Sequence, residues 1–129
     1  MFKVLSVLFM IVASFSIALS QESPRNNDPQ PSQGVAPKLP NGIGRADVRV
    51  FDENGNPIRN AYVKLESTRS DGFFCESWGD TDENGIIRLL PIHMGSLKFK
   101  VKAKGYKPLE LDVPADSLGD PVRVTLKKK

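Results

Sequence analysis

The stretch "GDTDENGIIRLL", residues 79–90, decides how this 129-residue chain is read. Asp80, Asp82 and Asn84, followed by Gly85, carry the spacing of the first half of a calcium loop. Such a loop places oxygen ligands at positions 1, 3 and 5 and glycine at position 6. At position 12, where the loop needs a bidentate glutamate, this chain has Pro91. No helical period enters or leaves the stretch. Asp and Asn beside a glycine have a second use, which is to accept hydrogen bonds from nearby backbone amides and turn the chain. The missing half of the ligand set favours that second use. The stretch then reads as a hairpin corner leading into a strand, and a weak calcium site helped by Asp52 or Glu53 is the alternative.

Outward from this corner the texture is alternation with a period of two, the mark of a half-buried strand. Before it, "ADVRVF" sets Ala46, Val48 and Val50 against Asp47, Arg49 and Phe51. The turn-rich "DENGNP" follows at 52–57, then "NAYVKLES" with Ala61, Val63 and Leu65 inward, then "GFFCESWG" at 72–79. After the corner come strands at 86–90, at "SLKFKVKAKG" (96–105), at "PLELDV" (108–113) and at "VRVTLK" (122–127). In the first of the long ones, Leu97, Phe99, Val101 and Ala103 oppose Lys98, Lys100, Lys102 and Lys104. Only "PADSLGD" (114–120) has room for a single helical turn. Seven short strands with one apolar face each imply an all-β fold, a seven-stranded antiparallel β-sandwich. At about 85 residues, such a domain buries roughly 60% of its unfolded surface.

The N-terminal quarter has other business. "MFKVLSVLFMIVASFSIALS" places Lys3 before an apolar run, with small residues at Ala18 and Ser20, so residues 1–20 read as a signal peptide. The run is too short and too rich in serine for a preferred spanning helix. Residues 21–44, with five prolines among Asn, Gln, Ser and Gly, read as a disordered tether leading to a domain at 45–129. The chain is thus expected to be secreted or periplasmic, without a membrane span after cleavage. Eighteen basic against fifteen acidic side chains give no call for nucleic acid. A lone Cys75 cannot form an internal disulfide. It is either a small buried hydrophobe between aromatics or a thiol that pairs with another chain.

The order of these turns and strands resembles the carboxypeptidase regulatory-like domain, a sandwich of the transthyretin-like group. The residues that carry the resemblance are Asp52, Gly55, Pro57, Ile58, Ala61 and Val63, then Thr81, Asp82, Gly85, Ile87 and Leu89. The third set is Gly95, Leu97, Phe99, Val101, Ala103, Gly105 and Tyr106. Ile87 stands where the family usually has an aromatic residue. The resemblance covers residues 45–127 and implies a non-catalytic accessory role beside a protein partner, with no cofactor. A related branch cleaves a cyclic ureide with histidines, an arginine and a C-terminal Tyr-Arg-Gly-Ser. This chain has His93 alone and ends in "TLKKK". No catalytic, cofactor-binding or metal-ligating residue is therefore expected. Tyr106 is expected to cap the sandwich and bond to backbone through its hydroxyl.

Two surfaces are left as binding candidates. Phe74, Glu76 and Trp78 share one face of their strand, opposite Phe73, Cys75 and Ser77, and the pattern leaves open which face is inside. Facing out, Trp78 and Phe74, with Tyr62, would make a platform for a glycan. The commoner outcome is that such aromatics fill the core. The lysine row at 98–104 is either a stripe for an acidic partner or membrane, or the solvated face of a strand.

Overall fold

The computed structural model describes residues 30–129, and the signal-peptide reading of 1–20 lies outside them. Ser32–Lys129 form one compact unit, described here. It is all-β, with nine strands: β1 (Ile43–Gly44), β2 (Asp47–Phe51), β3 (Tyr62–Thr68), β4 (Phe74–Asp80) and β5 (Ile86–Arg88). The remaining four are β6 (Ile92–His93), β7 (Ser96–Lys102), β8 (Leu109–Val113) and β9 (Val122–Thr125). A 3-10 turn at Ala115–Ser117 occupies the one place where the sequence allowed a helical turn.

Two sheets form the sandwich. One has four strands in the order β4-β3-β7-β8, and the other has three in the order β5-β2-β9. A short β1-β6 ribbon adds a third sheet. All pairings are antiparallel except β2 with β9, which run parallel from Val48↔Val122 to Phe51↔Thr125. The expected antiparallel pattern is therefore broken at one place. A parallel pair needs a long connection, and here the whole four-stranded sheet lies between its members.

The inner faces carry the core that the alternation implied. Ala61, Val63, Leu65, Leu97, Phe99 and Val101 from the large sheet meet Ala46, Val48, Val50, Val122, Val124 and Leu126 from the small one. In the large sheet, Leu65 faces Phe99, which faces Leu111, so one apolar row crosses three strands. At about 25 cal/mol per Å² of apolar surface, these rows are the main favourable term for the fold.

Two turns built on the same tetrapeptide, Asp-Glu-Asn-Gly, aim the strands. In the first, Asp52 Oδ1 accepts hydrogen bonds from the amides of Asn54 and Asn56, both at 2.9 Å. In the second, Asp82 Oδ1 accepts from Asn84 at 2.8 Å and Ile86 at 3.0 Å. Gly55 and Gly85 take φ of 86° and 76°, values that a side chain resists. The corner at 79–90 is thus a turn, with its central carboxylate engaged by backbone.

The reading of residues 21–44 as a tether needs a correction from Ser32 onward. Val35 and Arg45 exchange backbone hydrogen bonds at 2.8 and 2.9 Å. The Gln33 amide donates to Asp47 Oδ2 at 2.9 Å, and the Ser32 hydroxyl donates to the Gly119 carbonyl at 2.9 Å. A Cβ on Gly34 would stand 2.1 Å from the Leu118 carbonyl oxygen, so only glycine lets the segment lie this close. Proline removes some donors from this stretch, but those that remain find fixed partners on the sandwich.

Candidate functional site

Strand β4 forms one edge of the large sheet, and its two faces differ sharply. Ser77 is buried and Cys75 is half-buried with a free thiol, while Phe74 and Trp78 stand 50% and 60% exposed. This settles the open question of orientation. It also corrects the expectation that the aromatics of this strand fill the core. Phe73 sits in the β3–β4 turn, 55% exposed, beneath the Arg69 guanidinium at 5.5 Å. The core needs no aromatic from β4, because Phe99 and the aliphatic rows of β3 and β7 occupy the space opposite it.

The outer face of the large sheet is a charge lattice bordered by aromatics. Trp78 pairs across with Lys64, Glu76 with Glu66, and Lys64 with Lys100. Like charges directly opposite repel. Two diagonal contacts and one along β3 relieve this: Lys64 Nζ lies 3.1 Å from Glu76 and Lys100 Nζ 3.3 Å from Glu66 across the strands, and Lys64 Nζ lies 3.5 Å from Glu66 on its own strand. Hydrogen bonding to Glu76 is the chief cause that carries Lys64 above its ordinary value of 10.5. Lys98 reaches Glu110 at 3.9 Å. The lysine row is therefore not a uniform positive stripe. It is neutralised at Lys98 and Lys100, and Lys102 instead sits over the Tyr62 ring at 5.7 Å.

Tyr62 lies one strand in from Trp78, paired with Asp80 on one side and Lys102 on the other. Cross-strand diagonals are about 7–8 Å apart, within reach of aromatic side chains. Trp78, Tyr62 and Lys102 thus succeed one another across the sheet. Beyond Lys102 a cavity of about 350 Å³ opens between Tyr62 and Tyr106. Tyr106 packs against the core as expected, but its hydroxyl has no hydrogen-bond partner among the described residues. At the opposite end of the sheet, a groove of about 560 Å³ runs beside Leu39, Asn41, Ser70 and Met94.

The other polar residues singled out by sequence have structural roles. His93 Nδ1 lies 3.0 Å from the Asn41 carbonyl oxygen, a pure acceptor to which a protonated Nδ1 donates. Thr81 is buried and links the Ile58 carbonyl to the Ala61 amide. Asp80 is exposed at the end of β4. Among the described residues no three His, Cys, Asp or Glu side chains gather in a way that would hold a metal ion.

One feature was hidden from the alternation. Asp47 and Arg49 occupy the side of β2 that should meet water, yet they are 0% and 1% exposed. Arg49 donates to both Asp47 oxygens, Nε to Oδ1 and Nη2 to Oδ2, each at 3.0 Å. Arg88 Nε approaches Oδ2 at 3.4 Å.

No family model matches the sequence, and no curated protein does. Solved structures do. Hydroxyquinol 1,2-dioxygenase from Pseudomonas putida DLL-E4 superposes with a TM-score of 0.54 at 13% identity, over 93% of this chain and 72% of its own. 3-Chlorocatechol 1,2-dioxygenase from Rhodococcus opacus 1CP gives 0.52 at 13%, over 66% of this chain and 60% of its own. A streptococcal ancillary pilin gives 0.48 at 19%, over 71% of this chain and 30% of its own. Dioxygenases are thus among the fold neighbours, and at these identities the likeness reaches the sandwich fold alone.

Proposed function

We propose that this chain is an exported, non-catalytic binding module of the carboxypeptidase regulatory-like kind, acting outside the cytoplasm on a protein partner. The observation that supports this reading is the outward placement of Phe74 and Trp78 on a sheet edge. Large aromatics held in water on a rigid strand are what interface anchors look like, since they bury much area for little lost entropy. The Lys64–Glu66–Glu76–Lys100 lattice beside them supplies a polar rim whose charges are already compensated. The non-catalytic part of the reading rests on how the reactive side chains are used. His93, Thr81 and Asp82 each hold backbone groups.

The test is site-specific photo-crosslinking in producing cells. A photoreactive residue at position 78 should give a discrete adduct in the extracytoplasmic fraction, and one at the exposed turn residue Glu53 should not. Equal adducts from both positions, or a cytoplasmic location, would refute the reading.

A second reading, carbohydrate binding, is favoured by the Trp78–Tyr62 succession, because flat rings stack on sugar faces. A glycan-array signal that vanishes in Trp78→Ala would select it over the protein partner.

A further inference from the structure

We infer that the cavity between Tyr62 and Tyr106 is a binding site for a negatively charged saccharide, a uronate-type sugar ring. This goes beyond the reading of the β4 edge and does not depend on it, because Trp78 and Phe74 do not line the cavity. The site is built from three stretches: Asn60 and Tyr62 at the start of β3, Lys102 to Pro108 from the end of β7 into the turn that follows it, and Lys129. It is an open depression of about 350 Å³ that would leave one side of a bound ring in water.

Its geometry is held by backbone. Tyr106 donates its amide to the Ala103 carbonyl at 3.0 Å across a turn with Gly105 at φ 87°. The Lys129 amide donates to the Gly105 carbonyl at 3.1 Å. The turn therefore fixes Lys104 and Tyr106 on the rim.

Its chemistry selects an anion that carries a ring. Among the described residues, Lys102 and Lys104 lie within ion-pair distance of no carboxylate, whereas Lys64, Lys98 and Lys100 are all paired. Lys102 is thus the one lysine on this face of the large sheet without a carboxylate partner among the described residues, and it lines the cavity. The half-buried Tyr106 ring offers an apolar face to the C–H side of a sugar, and the Lys102 ammonium, held over the Tyr62 ring at 5.7 Å, stands beside it. Both hydroxyls lack partners among the described residues, and with the Asn60 amide they can bond sugar hydroxyls. A bare anion would leave the Tyr106 ring unused, and a neutral sugar would leave the ammonium groups unused.

Calorimetric titration of the full chain with trigalacturonate, against galactotriose of the same length, tests this. Trigalacturonate should bind, more weakly as salt rises, and galactotriose should bind at least about tenfold more weakly. Lys102→Ala/Lys104→Ala should lose about tenfold in affinity, at an unchanged melting temperature because both side chains are exposed. Lys102→Arg/Lys104→Arg should keep binding, and Tyr106→Ala should lose it. The inference is overturned by absence of trigalacturonate binding at millimolar concentration, by equal affinity for galactotriose, or by an unaffected alanine double variant. Displacement by inorganic phosphate or hexaglutamate as effective as that by trigalacturonate would also overturn it, since the site would then read charge alone.

Discussion

Arg49 grips Asp47 at two points on the outer side of β2, and neither side chain meets water. Burial pushes the Asp47 carboxyl up. The hydrogen bond from Arg49, the Gln33 amide and the charges of Arg49 and Arg88 outweigh that push and hold it below its ordinary 3.8. A carboxylate lowered by folding stabilises the native state above its unfolded pKa, and the contribution fades as pH falls through the folded value. Stability should therefore drop below about pH 4. Asp47→Asn should flatten that part of the profile and cost about 3–5 kcal/mol at pH 7, because the Arg49 charge loses its buried carboxylate. Urea unfolding at several pH values measures both.

The two Asp-Glu-Asn-Gly turns should respond differently to one methyl group. Around Gly55 an added Cβ meets nothing within 4 Å, so Gly55→Ala bears only the left-handed backbone cost of about 1–2 kcal/mol. At Gly85 the same Cβ would stand 2.6 Å from the Val50 carbonyl oxygen and 3.0 Å from Pro57 Cβ. Gly85→Ala should add about 1–3 kcal/mol of overpacking to the backbone cost. Equal midpoints for the two variants in urea would contradict this packing.

Thr81 should behave as a clamp. Its hydroxyl donates to the Ile58 carbonyl at 2.6 Å and accepts from the Ala61 amide at 2.9 Å, with the side chain buried. Thr81→Val keeps the shape and strands both backbone groups, at a cost of about 2–3 kcal/mol. Thr81→Ser keeps the hydroxyl and should lose about 1 kcal/mol or less. Thermal melts of the pair separate hydrogen bonding from packing.

Trp78 is the chain's single tryptophan, so its fluorescence reports one place. At 60% exposure it should be quenched by acrylamide nearly as readily in the folded as in the unfolded chain. Trp78→Ala should change stability by less than about 0.5 kcal/mol. A strongly protected indole would contradict the outward placement.

The core strands were legible because Ala61-Val63-Leu65 and Leu97-Phe99-Val101 alternate cleanly against polar neighbours. The two-residue strands β1 and β6 are too short to show a period. The packing of residues 32–44 escaped because Leu118 and Gly119 lie far along the chain and the nearer partner, Asp47, read as a solvent-facing strand residue. Burial of Asp47 and Arg49 escaped for a related reason: alternation tells which side chains share a face, not whether that face is covered. For β4 the pattern offered aromatics at both Phe73 and Phe74, and only the register with β3 shows that Phe74 and Trp78 point out. The Tyr62–Tyr106 cavity joins side chains some forty residues apart, beyond any local pattern.

The most direct test of the binding-module account is competition for the adduct formed by the photoreactive residue at position 78. Unlabelled wild-type chain should abolish that adduct at excess. Phe74→Ala/Trp78→Ala chain, with an unchanged melting temperature, should fail to compete. Equal competition by both chains would show that the exposed aromatics of β4 are not the recognition surface.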